Sequence, residues 1–170
     1  MGTTITYLEM TSPDQLRPAR PVPALGLRRI DADSPLVRST PKRIGNAYGW
    51  RSSTRSDQEW REIVLAHPLR QFWLITHDGD TAGAGYLEPQ PGGDVEITTF
   101  GLVPEFVGKG LGGSALALVI RQAWTGPPVD TDTVRRVWLH TSSRDHPNAL
   151  INYQSRGLRP YRTEFDDSED

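Results

Sequence analysis

Cysteine is absent from this chain of 170 residues. That excludes disulfides, thiolate metal sites and a cysteine nucleophile together. An excess of either charge is missing too: 19 Lys and Arg stand against 21 Asp and Glu, a formal net charge of −2. Such a balance gives no electrostatic reason to expect a nucleic acid or an anionic membrane as partner. Long apolar runs are lacking, and the N-terminus does not show the basic-then-apolar order of a signal peptide. The expected compartment is therefore the cytoplasm. No pair of histidines or carboxylates has metal-ligand spacing, so no metal is expected. Internal repeats and low-complexity tracts are also missing.

What the chain has is punctuation, with 16 glycines and 14 prolines dividing short patterned segments. Its length suits a single domain, expected over residues 1–165, followed by an acidic disordered tail at 166–170. Thr3–Met10 alternates as a strand. Thr11–Arg29, rich in Pro and Arg, reads as an extended, exposed connection. From Pro35 to Arg55 the pattern is irregular and suggests a short helix and a loop. Ser56 and Glu59 form a capping box that starts a helix through Ala66, stopped by Pro68. Gln71–Thr76 and Ala82–Leu87 read as a hairpin turned at Asp78-Gly79-Asp80. After Gly92-Gly93 a strand runs from Val95 to Val103. A helix carrying Leu116, Val119, Ile120 and Ala123 follows, then a strand over Val134–His140 and a helix beginning at Asp145-His146-Pro147. Gly157 stands at that helix's C′ position, ahead of a final strand from Leu158. This order implies an α+β domain with a mixed sheet.

The densest signal is Gly108-Lys109-Gly110-Leu111-Gly112-Gly113, placed between a strand and an apolar-periodic helix. Glycines let successive backbone N–H groups converge without interference from Cβ atoms. The following helix adds the positive end of its dipole, so the turn is suited to a pyrophosphate. The spacing also satisfies G-x-G-x-x-G, which alone is weak. A dinucleotide site wants the glycines directly after the strand and an acid at the end of the next strand. Here Pro104–Val107 intervene, and the next strand ends at His140-Thr141. A Walker loop fails because no Gly-Lys-Ser/Thr stands at the required spacing.

With Leu102-Val103-Pro104-Glu105-Phe106-Val107 leading into that turn, and with Tyr153-Gln154-Ser155-Arg156-Gly157-Leu158 near the C-terminus, the sequence resembles the GCN5-related N-acetyltransferase (GNAT) superfamily. The element order agrees from Gln71 onward, while the first 70 residues follow it loosely. The chain departs from the pattern at Val107, where relatives usually carry Gln or Arg, and at His146-Pro147, where many carry Asn. The resemblance implies the GNAT fold: a mixed, mostly antiparallel sheet flanked by helices, with strands splayed at the acetyl-CoA site. It also implies acetyl transfer from acetyl-CoA to a small-molecule or protein amine.

The same resemblance assigns roles. Glu96, on the strand before the turn, stands where relatives often place a carboxylate that acts as base through water, and His140 is the alternative base. Tyr153 stands at the general-acid position facing the departing thiol. Backbone N–H groups of Leu102 and Val103 would hold the carbonyl oxygen. Gly108, Lys109, Gly110, Leu111, Gly112 and Gly113 would hold the pyrophosphate, with His146 and Tyr153 as further contacts to acetyl-CoA. The acceptor site falls near Tyr48, Trp50, Trp60 and Trp73, with Arg51 and Arg55 close in sequence. A GNAT-fold module that holds CoA without turnover is the alternative reading, and a homodimer is left open.

Overall fold

The computed structural model describes residues 2–167. Its elements run β1 (Thr3–Met10), β2 (Leu25–Ile30), α1 (Leu36–Gly45), α2 (Asp57–Ala66), β3 (Gln71–His77) and β4 (Asp80–Gln90). They continue with β5 (Asp94–Leu102), α3 (Gly112–Thr125), β6 (Arg136–Ser142), α4 (Ala149–Ser155) and β7 (Arg159–Asp166). Among the described residues the strands form one sheet in the order β2-β3-β4-β5-β6-β1-β7. Every pairing is antiparallel except that of β5 with β6.

Two apolar cores sit on opposite faces of the sheet. Under α3 and α4, Leu8, Met10, Ile75, Leu87, Val95, Ile97, Val137 and Leu139 meet Leu116, Val119, Ile120 and Tyr153. Under α1 and α2, Phe72, Ala84, Tyr86 and Val103 meet Val37, Ile44 and Trp60. The α2 helix starts on the expected capping box: the Ser56 hydroxyl accepts from the Glu59 N–H at 3.1 Å, and the Glu59 carboxylate accepts from the Ser56 N–H at 3.1 Å.

Two features of β5 shape the site. Only Asp94, Val95 and Glu96 pair with β6, opposite Arg136, Val137 and Trp138. Beyond that point the two strands part. The separation begins at a bulge: Leu87 pairs with Ile97 and Tyr86 with Thr99, which leaves Thr98 as the extra residue. A bulge bends its strand and increases its twist, so it turns β5 away from β6. It also reverses the alternation of faces. Val95 and Ile97 lie in the α3-side core, and past the bulge Phe100 and Leu102 do so instead.

Two expectations change. The connection over Thr11–Arg29 is not wholly extended: Pro13–Gln15 forms a 3-10 turn capped by the Ser12 side chain, and Leu25–Arg29 belongs to β2. As an edge strand β2 needs few apolar positions; Leu25 and Leu27 pack on the α3-side core while Arg28 and Arg29 face solvent. That pattern is too short to announce a strand. At the other end β7 runs through Asp166, the first residue assigned to the tail. Of the remaining tail, residues 168–170 lie outside the described residues.

Candidate active site

The parting of β5 and β6 opens a gap through the sheet, with a cavity on each side. On the α3 and α4 side a cavity of about 390 Å³ runs along Gly108, Gly110, Leu111, Gly112 and Gly113 to α4. On the opposite side a cavity of about 380 Å³ is walled by Arg51, Arg55, Thr98, His140 and Ser142. Tyr48, Trp50, Phe100, Asp145 and Tyr153 line both, so the two cavities meet at the gap.

The first cavity is built as a cradle for an anionic chain. Gly108 and Gly110 hold φ of +78° and +76°, and a Cβ placed on either would meet nothing within 4 Å. Their open side is the space a ligand backbone contact requires. The α3 helix begins at Gly112 with no side-chain cap, so its first N–H groups keep their donors for a ligand. Arg156 adds a cation. It lines the same cavity, and its Nε and one terminal nitrogen are buried without a hydrogen-bond partner. Unpartnered buried donors on a guanidinium are costly, and an oxyanion would satisfy them. The cavity therefore fits a CoA-type diphosphate. Arg156 is a residue that the sequence reading missed, and it carries the kind of side-chain donor that Val107 lacks.

Tyr153 is placed by the end of its own helix. The Leu158 N–H donates to the Tyr153 carbonyl at 3.1 Å and the Gly157 N–H to Gln154 at 3.0 Å, with Gly157 at φ +104°. This is a Schellman cap, with Tyr153 at C3 and Leu158 at C″. The spacing Tyr-x-x-x-Gly-Leu is thus the spacing of the cap, and both side chains are buried in the same core. Burial, with Asp145 nearby as the lesser cause, drives the Tyr153 phenol well above its ordinary pKa. It stays protonated and keeps its proton available to donate.

On the opposite face Glu96 and His140 come together. Glu96 Oε2 lies 3.9 Å from His140 Nδ1, and its Oε1 accepts from Gln90 Nε2 at 3.1 Å. Gln90 in turn accepts from the Trp138 indole at 3.0 Å. Burial raises the Glu96 pKa, opposed by His140, by Arg70 and by the Gln90 hydrogen bond. His140 lines the second cavity, with its side chain half exposed, whereas Glu96 stands behind it.

Other expected residues divide. Leu102 turns its backbone to the gap, but the Val103 N–H is already donated to the Ala82 carbonyl at 2.8 Å. Neighbours along an antiparallel ladder direct their polar groups to opposite sides. Val103 and Gly101 therefore serve β4, while Leu102 and Phe100 offer their N–H groups to the gap. Phe100 replaces Val103 in the expected pair of donors. Lys109 sits outside the cavity with its ammonium 5.7 Å over the Phe106 ring. His146 lines the cavity; its Nδ1 accepts from the Asn148 N–H at 3.0 Å, which leaves Nε2–H free to donate. Of the residues expected around the acceptor, Tyr48, Trp50, Arg51 and Arg55 wall the second cavity, but Trp60 and Trp73 belong to the packing of the two cores. Asp145, also missed, accepts from the Trp50 indole at 2.8 Å and the Ser142 N–H at 3.0 Å, and from the Thr141 hydroxyl. It ties the segment between α1 and α2 to the end of β6.

Comparison with known proteins agrees with this arrangement. The chain resembles solved GCN5-related N-acetyltransferases from Sphaerobacter thermophilus (14% identity, TM-score 0.66, 96% of this chain and 50% of that one) and Kribbella flavida (19%, 0.65, 99% and 61%). It also resembles a putative acetyltransferase of the GNAT family from Novosphingobium aromaticivorans (20%, 0.60, 97% and 63%). At these identities the likeness is one of fold, and the chain spans between half and two thirds of the length of each. No curated protein matches it. The family model described as the acetyltransferase (GNAT) family matches residues 37–157, which takes in α1, the sheet from β3 to β6, the glycine turn and the Tyr153 cap. The chain belongs to the GNAT acetyltransferase family.

Proposed function

We propose that this protein transfers an acetyl group from acetyl-CoA to a primary amine held in the second cavity, with both bound at once. The observation that carries the reading is the junction: a phosphate-type cradle and a separate small cavity open onto the same gap in the sheet, with Tyr153 at their meeting point. Acetyl-CoA supplies an activated acyl thioester. Gly108, Gly110, the start of α3 and Arg156 would hold its phosphates, and His146 adds a donor through Nε2–H.

An amine of pKa about 10.4 is mostly protonated at neutral pH and must lose a proton to attack. His140, which faces the acceptor cavity, takes that proton. Glu96 behind it, 3.9 Å away, adds a carboxylate that favours positive charge on the ring. This assigns Glu96 a supporting place and His140 the contact with the amine. The free N–H groups of Phe100 and Leu102 point at the gap and receive the negative charge that develops on the carbonyl oxygen. Tyr153 returns a proton to the departing sulfur.

The test is release of free CoA thiol from acetyl-CoA across a panel of primary amines, with acetyl-CoA binding measured separately by calorimetry. Amine-dependent release with a stoichiometric N-acetyl product is the expected result. Tight binding without release on any amine would favour a CoA-holding module, and absence of binding would remove the cradle assignment.

A further inference from the structure

The charged groups that line the acceptor-side cavity are Arg51, Arg55, Arg144, Asp145, Asp166 and His140. Their partners leave an imbalance. Asp145 is held by three donors. Arg144 and Asp166 both have partners and carry opposite charges. His140 faces Glu96. Arg51 and Arg55 remain, and among the described residues neither has a carboxylate within salt-bridge distance.

Both arginines come from one stiff turn. The Ser53 hydroxyl donates to the Trp50 carbonyl at 2.6 Å, and the Thr54 hydroxyl donates to the Arg51 carbonyl at 3.1 Å. The Arg55 guanidinium is fixed 5.2 Å over the Trp60 ring. Burial lowers its pKa, and repulsion from Arg51 and Arg70 lowers it further, with Glu59 opposing. Arg70 has its own partner in Glu88 at 3.4 Å. Two like charges on one wall of a small cavity, with no carboxylate paired to either, favour an anion entering it. The other end of the cavity carries the opposite requirement, since His140 and Glu96 are arranged to take a proton from a cationic amine.

We propose that the acceptor is a small zwitterion of the amino-acid type, whose carboxylate is held by Arg51 and Arg55 while its amine faces His140. This rests on the acetyl-transfer reading for the role of the amine end, but not for the anion at the arginine end. A cavity of about 380 Å³ is of a size that suits a compact molecule.

The experiment compares glycine, β-alanine and γ-aminobutyrate, each against its amide and its alkylamine counterpart, with phosphoethanolamine as the other anion. Binding to the CoA-loaded protein is read by calorimetry and transfer by thiol release. At least one of the amino acids should bind roughly tenfold more tightly than its amide and its alkylamine. In the Arg51→Gln, Arg55→Gln double variant that ratio should fall to within about twofold, with melting temperature checking the fold. Equal or reversed preference in the unaltered protein overturns the proposal without recourse to any variant. So does a preference for phosphoethanolamine, or a preference that survives the double substitution in a folded variant. Arginine-dependent carboxylate binding with no thiol release would instead uphold the cavity assignment and remove the transfer reading. Thiol release that favours the plain alkylamines would do the reverse.

Discussion

At the scale of single residues, Tyr153 and Glu96 show how burial sets chemistry. The Tyr153 phenol is locked in its protonated form by desolvation, so its hydroxyl is a donor throughout the physiological range. Tyr153→Phe keeps the ring and its packing and removes only the hydroxyl. Turnover should fall roughly 100-fold, while acetyl-CoA affinity stays within about threefold. Steady-state rates beside calorimetric affinities test this, and unchanged turnover would take Tyr153 out of the reaction. For Glu96 the consequence is stability. Burial raises its pKa in the folded protein, so the folded state binds the proton more tightly than the unfolded chain. That contribution is complete below the ordinary glutamate value of about 4.3 and is lost as pH rises through the folded value. Glu96→Gln, neutral at every pH, escapes the loss. The melting temperature of the variant minus that of the parent should therefore increase from about pH 4 to about pH 7. A constant or falling difference would mean that His140 and Gln90 already offset the burial.

At the scale of elements, the glycine turn and the α4 cap are local objects, and both were legible in the sequence. Gly108 and Gly110 needed only their own conformations to declare an open cradle, and Gly157 with Leu158 needed only a spacing of a few residues. Gly110→Asp places a carboxylate and a Cβ on the ligand side at φ +76°. Acetyl-CoA affinity should fall at least about 100-fold, because like charges are then forced together. Nothing lies within 4 Å of that Cβ, so the cost to the fold is the backbone strain of a non-glycine residue at this φ, about 1–2 kcal/mol, which melting temperature reads. Retained affinity by calorimetry would contradict the cradle. What the sequence hid was the β5 bulge. Thr98 looks like any strand threonine, yet it decides that Phe100 and Leu102 face the gap in place of Val103. No residue type marks a register shift that depends on where Tyr86 and Leu87 fall on the neighbouring strand. Arg156 was hidden for a related reason, because its missing partner is visible only once α4 is laid beside the glycine turn.

At the scale of the whole molecule, the least legible feature was the place of β1. Its alternation announced a strand, but nothing local could say that Ile5 pairs with Ser142 on one side and with Glu164 on the other. Only the burial of both its neighbours requires it. Leu8, fully buried between β6 and β7, is the core residue that joins the two halves. Leu8→Ala should cost about 2–5 kcal/mol, read from the denaturant midpoint. A loss below about 0.5 kcal/mol would show that β7 and β6 do not depend on this strand for their packing.

That central position also sets an order in time. During synthesis β1 emerges well before the strands on either side of it, which begin only at Arg136. Until then its two edges have no partner and its apolar side has no cover, a state prone to association with other nascent chains. Pairing β1 on both sides with strands so distant in sequence raises the contact order, which slows folding.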